Sequence, residues 1–184
     1  SWDFSTELIN DYLQVMASIS ADYVELGFRM LDTNSFKGGC AFTTDNFINH
    51  LTIPHGLNIG VMVDASEIES YKEGRAQALS KLFNEASESP VSLVRIACHY
   101  DQFNEALLSC QWLKKKGYIV GINLMQIASC SEKEIEFFAR SVSTKFVDVL
   151  YFADSMGSMH PNQVSNIIIA LRKGWEGPIG IHTH

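Results

Sequence analysis

Two histidines separated by one residue, His182 and His184, close the sequence. Successive side chains of a β-strand alternate between faces, so both imidazoles project to one side while Thr183 points to the other. Two neutral imidazoles so placed can grip one divalent metal. With carboxylate or water completing the shell, the donor set suits Mn(II) or Mg(II), with Zn(II) or Fe(II) as alternatives, and open coordination positions rather than a closed structural zinc. A catalytic ion usually has at least three protein ligands, so a third is expected from outside this sequence. The bland alternative is a chance His-x-His at a chain end.

Other polar residues cluster at the ends of apolar runs. Glu25 and Arg95 lie inside the runs Val24-Glu25-Leu26 and Val94-Arg95-Ile96, where an unpaired charge is costly to bury, so both are expected to have partners. Two readings stay open for them: a structural ion pair, or a grip on an anionic substrate, for which the forked guanidinium is well shaped. Asp154 and Ser155 precede Gly157 and either join the chemistry or cap the turn into the next helix. Arg29, Asn123 and Ser155 complete the set as candidates for holding substrate, with Glu25, Arg95 and Asp154 as candidates for catalysis. A Schiff-base aldolase needs a lysine desolvated within the fold, and no strand carries one. Lys37, in the long loop between Arg29 and Thr43, is the one lysine placed to reach a site, as a lid residue. The run Lys114-Lys115-Lys116 reads as solvated charge at a helix end.

These residues need elements to position them, and the chain supplies a regular alternation. Leu8, Tyr12, Val15, Met16 and Ile19 recur at helical spacing between Phe4 and Ile19. Strands are expected at 22–28, 58–63, 91–97, 118–124, 147–152 and 178–182, each a nearly continuous apolar run, as parallel strands covered on both faces are. Helices are expected between them: one over 66–88 opened by the box Ser66-x-x-Glu69, one over 101–116 ending at Gly117, one opened by Ser131-x-x-Glu134, and one opened by Pro161. About six strands recurring roughly every 30 residues make an α/β protein, a partial (β/α)8 TIM barrel with outer helices whose first and last strands are missing. An open doubly wound sheet shares the alternation, but no G-x-G-x-x-G follows any strand. In a parallel barrel the active site gathers at the C-terminal ends of the strands, where the polar residues above fall.

Composition bounds the rest. With 184 residues, 46% of them hydrophobic, and no Pro/Gly/Ser-rich linker, residues 1–184 are expected to form a single domain. No stretch approaches the roughly 18 unbroken apolar residues of a membrane span. A net charge of -7 repels nucleic acid and anionic membrane surfaces, which leaves a small-molecule substrate as partner. Four scattered cysteines without C-x-x-C, and no leader sequence, fit a reducing cytoplasm. Cys98 and Cys110 read as small buried hydrophobes. A barrel short of strands would expose two sheet edges, which invites self-association into a homo-oligomer.

Four segments taken together, Val24-Glu25-Leu26-Gly27-Phe28-Arg29, Val94-Arg95-Ile96-Ala97, Phe152-Ala153-Asp154-Ser155-Met156-Gly157 with Pro161, and Gly180-Ile181-His182-Thr183-His184, resemble the metal-dependent aldolase/lyase barrels. That family includes the 4-hydroxy-2-oxovalerate aldolases, the hydroxymethylglutaryl-CoA lyases and the isopropylmalate and homocitrate synthases. The resemblance implies a carbon–carbon lyase in which His182 and His184 hold a divalent metal, Glu25 and Arg95 line the substrate pocket, and Asp154-Ser155 closes it from the neighbouring strand. It implies aldol chemistry on a 4-hydroxy-2-oxo acid through a pyruvate enolate. The alternatives are an acyl-CoA-dependent Claisen synthase, or a barrel module without catalysis. Such enzymes carry an Arg-Asp pair on their first strand, and nothing here matches it, Asp3 preceding a helix; the 184-residue piece alone is therefore expected to be inactive or weak.

Overall fold

The computed structural model describes residues 2–31 and 35–184. Helix α1 (Thr6–Ser18) is opened by the Ser5 hydroxyl, which accepts from the Leu8 N–H, and leads into β1 (Tyr23–Phe28). Two short helices, α2 (Gly39–Phe42) and α3 (Asp45–Asn49), occupy the segment before β2 (Asn58–Asp64). Then come α4 (Ala65–Glu69), α5 (Arg75–Leu82), β3 (Val91–Cys98), α6 (Phe103–Lys115) and β4 (Ile119–Leu124). Helix α7 (Glu132–Ser141), β5 (Val149–Ala153), α8 (Pro161–Arg172) and β6 (Ile179–His182) complete the order.

The six strands pair in sequence order and all in parallel, forming an open half-barrel, the α/β partial TIM barrel that the apolar runs predict. Val61, Val63, Val94, Ile96, Val120, Ile122, Leu150 and Phe152 point outward and are buried with Ile68, Leu79, Leu113, Phe138, Leu171 and Trp175 in the main core. Each such side chain removed from water contributes roughly 1.5–3 kcal/mol. The other set of strand side chains faces the lumen, and there the candidate site lies.

One expected helix is two. Over 66–88 the chain breaks at Gly74, whose φ of 87° is left-handed, giving α4 and α5 with a 3-10 turn at Ala86–Glu88. Asp64, not Ser66, is the N-cap, accepting from the Ser66 and Glu67 N–H groups, because the carboxylate at the strand end reaches them first. The Ser131–Glu134 box forms in both directions, and Gly117 ends its helix at φ 90° as the sequence predicts. Lys114 is not merely solvated: its Nζ lies 2.6 and 2.7 Å from both carboxylate oxygens of Asp148, which also accepts from the Val120 N–H and so ties α6 to β4.

Candidate active site

Strand register decides which side chains share a level inside the half-barrel. In a tilted, staggered barrel the residues of one level advance about one position per strand, so alternate strands contribute side chains to the same layer. Glu25 pairs with Gly60, Arg95 with Gly121, and Tyr151 with Gly180. Following the register, Gly60, Gly121 and Gly180 form one level on the even strands, Glu25, Arg95 and Tyr151 the next on the odd strands, and Met62, Asn123 and His182 the one above.

Glu25 and Arg95, from strands separated by β2, are each other's partner. Arg95 Nε donates to Glu25 Oε2 at 2.7 Å and Nη2 donates to Oε1 at 2.5 Å, a forked pair that partners the buried guanidinium with a half-buried carboxylate. The Arg95 Nη1 group makes no hydrogen bond among the described residues and remains for another acceptor. The Tyr151 ring lies against the guanidinium, with Arg95 Cζ 5.0 Å from the ring centroid. Strand alternation and the three strand glycines were the signals that lead to Tyr151, and they emerge only once the register is known.

His182 and His184 project to the same side, as their spacing predicts, and their rings stack with centroids 4.7 Å apart and an interplanar angle of 21°. Burial pushes the His182 pKa down, Arg95 and His184 push it the same way, and Glu25 opposes them. These effects favour the neutral imidazole, the form that binds metal. Its Nδ1 is buried with no hydrogen-bond partner. These two nitrogen donors fit part of a divalent-ion shell, but among the described residues no group of three or more His, Cys, Asp or Glu stands ready to hold an ion. Asn123 is 1% exposed, and its Oδ1 is a second buried polar atom without a partner, on the same level as His182. Orphaned groups of this kind are costly and call for an occupant.

Asp154 and Ser155 sit at the mouth, but the Asp154 carboxylate is engaged: it accepts from the Ser158 N–H and the Met159 N–H, each at 3.0 Å. Burial pushes this carboxyl up, yet the N–H groups of Met159, Ser158 and Gly157, with His184 nearby, outweigh that and hold its pKa below the usual range. It caps the loop that precedes α8. Ser155 Oγ accepts from the Gln126 N–H at 3.1 Å and joins the mouths of β4 and β5.

The structure does not bring Arg29 to this site. A bulge between Glu25 and Phe28, with Gly27 at φ 147°, reverses the alternation of β1, and Arg29 turns outward between sheet and helices. There it is 2% exposed, donates to the carbonyls of Thr43 and Leu82 and to Asp45 Oδ1, and lies over the Phe83 ring. Only glycine fits the bulge, since a Cβ at 27 would come within 2.1 Å of the Cys40 carbonyl oxygen. Lys37 is exposed beside Met30, with Nζ 4.0 Å from its sulfur.

Known proteins share both sequence and shape with this chain. A 4-hydroxy-2-oxovalerate aldolase from Nocardia farcinica is 29% identical over 99 residues, 54% of this chain and 29% of that protein. Another from Geobacillus genomosp. 3 is 33% identical over 107 residues, 56% of this chain and 31% of that protein. About half of this chain is similar in sequence to the 4-hydroxy-2-oxovalerate aldolases. The matched part spans less than a third of the length of these curated relatives. Among solved structures, the N-terminal domain of a candidate aldolase from Bacteroides vulgatus superposes with a TM-score of 0.76 at 24% identity, over 100% of this chain and 59% of that one. The HMG-CoA lyase of Bacillus subtilis superposes with a TM-score of 0.71 at 12% identity, over 99% of this chain and 62% of that one, a likeness of fold. No protein-family model matches the chain.

Proposed function

We propose that the protein belongs to a divalent-metal-dependent aldolase that cleaves or forms a carbon–carbon bond in a 4-hydroxy-2-oxo acid. The observation that carries the proposal is the pair of stacked imidazoles, with His182 one level above the Glu25–Arg95 fork. In this reading His182 and His184 hold the ion, with Mn(II) or Mg(II) preferred and Zn(II) accepted. When bound, such an ion supplies Lewis-acid stabilisation of charge that develops on the substrate oxygen.

The chain's own residues do the binding and orientation. Glu25 fixes Arg95 by two hydrogen bonds, so the guanidinium meets an incoming carboxylate with its free Nη1 already in place and loses little side-chain freedom on binding. The Asn123 Oδ1 accepts from a donor on the ligand, a hydroxyl being the class that a 4-hydroxy-2-oxo acid offers. Asp154 keeps its carboxylate on the backbone of the loop and shapes the mouth.

The test is pyruvate release from 4-hydroxy-2-oxovalerate with added Mn(II), followed in the wild type and in His182→Ala. Metal-dependent release that vanishes in the variant supports the assignment, and release that survives in it rejects the ligand role. An absence of any metal binding by the wild type favours the barrel module without catalysis.

A further inference from the structure

We infer that Tyr151 is a positioning residue, holding the Arg95 guanidinium on the face of its ring so that the fork to Glu25 and the free Nη1 stay aligned in the lumen. The inference rests on the proposed aldolase reading for its functional consequence, and on the geometry alone for its physical content.

Three observations converge on Tyr151. Its ring takes Arg95 at a cation–π distance, Cζ to centroid 5.0 Å, on the side not used by Glu25. The ring occupies a slot cut by the strands on either side: a Cβ at Gly121 would lie 2.9 Å from Tyr151 Cε2 and 3.5 Å from Arg95 Cγ, and a Cβ at Gly180 would lie 2.3 Å from both Cδ1 and Cε1. A glycine inside a strand weakens it, and two that flank one aromatic ring are explained by the space the ring needs. The register then puts Glu25, Arg95 and Tyr151 on one level, so carboxylate, guanidinium and ring form a single row across the lumen.

The row has a directional consequence. Glu25 fixes the edge of the guanidinium through Nε and Nη2, which leaves rotation out of the plane as the soft motion. The Tyr151 face blocks it. The phenol hydroxyl has no part in this, since the ring alone supplies the face, so phenylalanine should replace tyrosine and leucine should not. Burial pushes the phenol pKa up, with Arg95 opposing and Glu25 and Tyr23 reinforcing, which keeps the ring neutral.

The experiment compares the wild type, Tyr151→Phe and Tyr151→Leu by two readouts. The first is the Arg95 Nε–Hε resonance in nitrogen-15 spectra at mildly acid pH, which persists when the side chain is held and broadens when it exchanges with water. The second is the Kd for pyruvate measured by titration in the presence of Mn(II). Tyr151→Phe is expected to match the wild type in both, while Tyr151→Leu loses the resonance and binds pyruvate about tenfold more weakly, the worth of one desolvated cation–π contact. An Arg95 resonance that survives in Tyr151→Leu overturns the inference, as does a Phe variant as impaired as Leu. Should the resonance respond as expected while the wild type binds no pyruvate, the aldolase reading fails and the positioning role stands. Thermal melting of each variant identifies one that has lost its fold, and Tyr151→Met then serves in place of Leu.

Discussion

The rings of His182 and His184 stack with centroids 4.7 Å apart, so a one-residue spacing at and just beyond the end of β6 brings two imidazoles together. Removing either one should disable a shared ion site rather than halve it, since a lone imidazole holds a divalent ion weakly. Calorimetric titration with Mn(II) or Zn(II) is expected to show binding to the wild type and a loss of about 100-fold or more in His182→Ala and in His184→Ala, beyond what loss of an outer-shell partner costs. Unchanged affinity in either variant removes that residue from the site.

The Glu25–Arg95 fork makes an asymmetric prediction about stability. Glu25→Gln leaves a guanidinium without its counter-charge in the lumen and should cost about 2–3 kcal/mol in urea unfolding. The double variant Glu25→Met/Arg95→Leu removes both charges and should recover most of that loss, while abolishing any binding of keto acid. A double variant no more stable than Glu25→Gln would show that the pair itself, and not the avoidance of an unpaired charge, stabilises the fold.

Much of the architecture was legible because it is written in short-range pattern. Apolar runs mark the six strands, Ser131 and Glu134 lie within one turn of each other, and Pro161 stands at its helix start. What sequence reasoning missed depends on distant register. Lys114 finds Asp148 on a residue far along the chain, and Tyr151 meets Arg95 across β4, a contact no local window contains. Arg29 shows the opposite failure: it stands at the expected end of the expected strand, but one bulge at Gly27 sends it to the wrong face. Of the residues singled out for chemistry, Glu25, Arg95, Asn123 and His182 come together in the lumen, with His184 stacked on His182 above them. Asp154 and Ser155 sit at the mouth holding loops together.

That outward placement gives Arg29 a testable signature. With donors spent on Thr43, Leu82 and Asp45, Arg29→Met should destabilise by about 3 kcal/mol through stranded carbonyls and an uncompensated Asp45. Keto-acid binding by the folded variant should match the wild type. A raised Kd with unchanged stability would return Arg29 to the substrate side.

Asp154 makes the corresponding prediction in pH. Its folded pKa is depressed, so protonation favours the unfolded chain: the stabilisation is present above the ordinary carboxylate value near 3.9 and is lost as pH falls through the folded value. Acid unfolding of the wild type should therefore steepen below about pH 4, and Asp154→Asn, which keeps one acceptor oxygen for the loop but no charge, should flatten that part of the curve. Near neutral pH the same variant should be less stable, and its hydrogen exchange should quicken at Ser158 and Met159, whose N–H groups lose the carboxylate. If instead Asp154→Asn keeps its stability and protection while pyruvate release disappears, the carboxylate acts on substrate and its role as a loop cap is secondary.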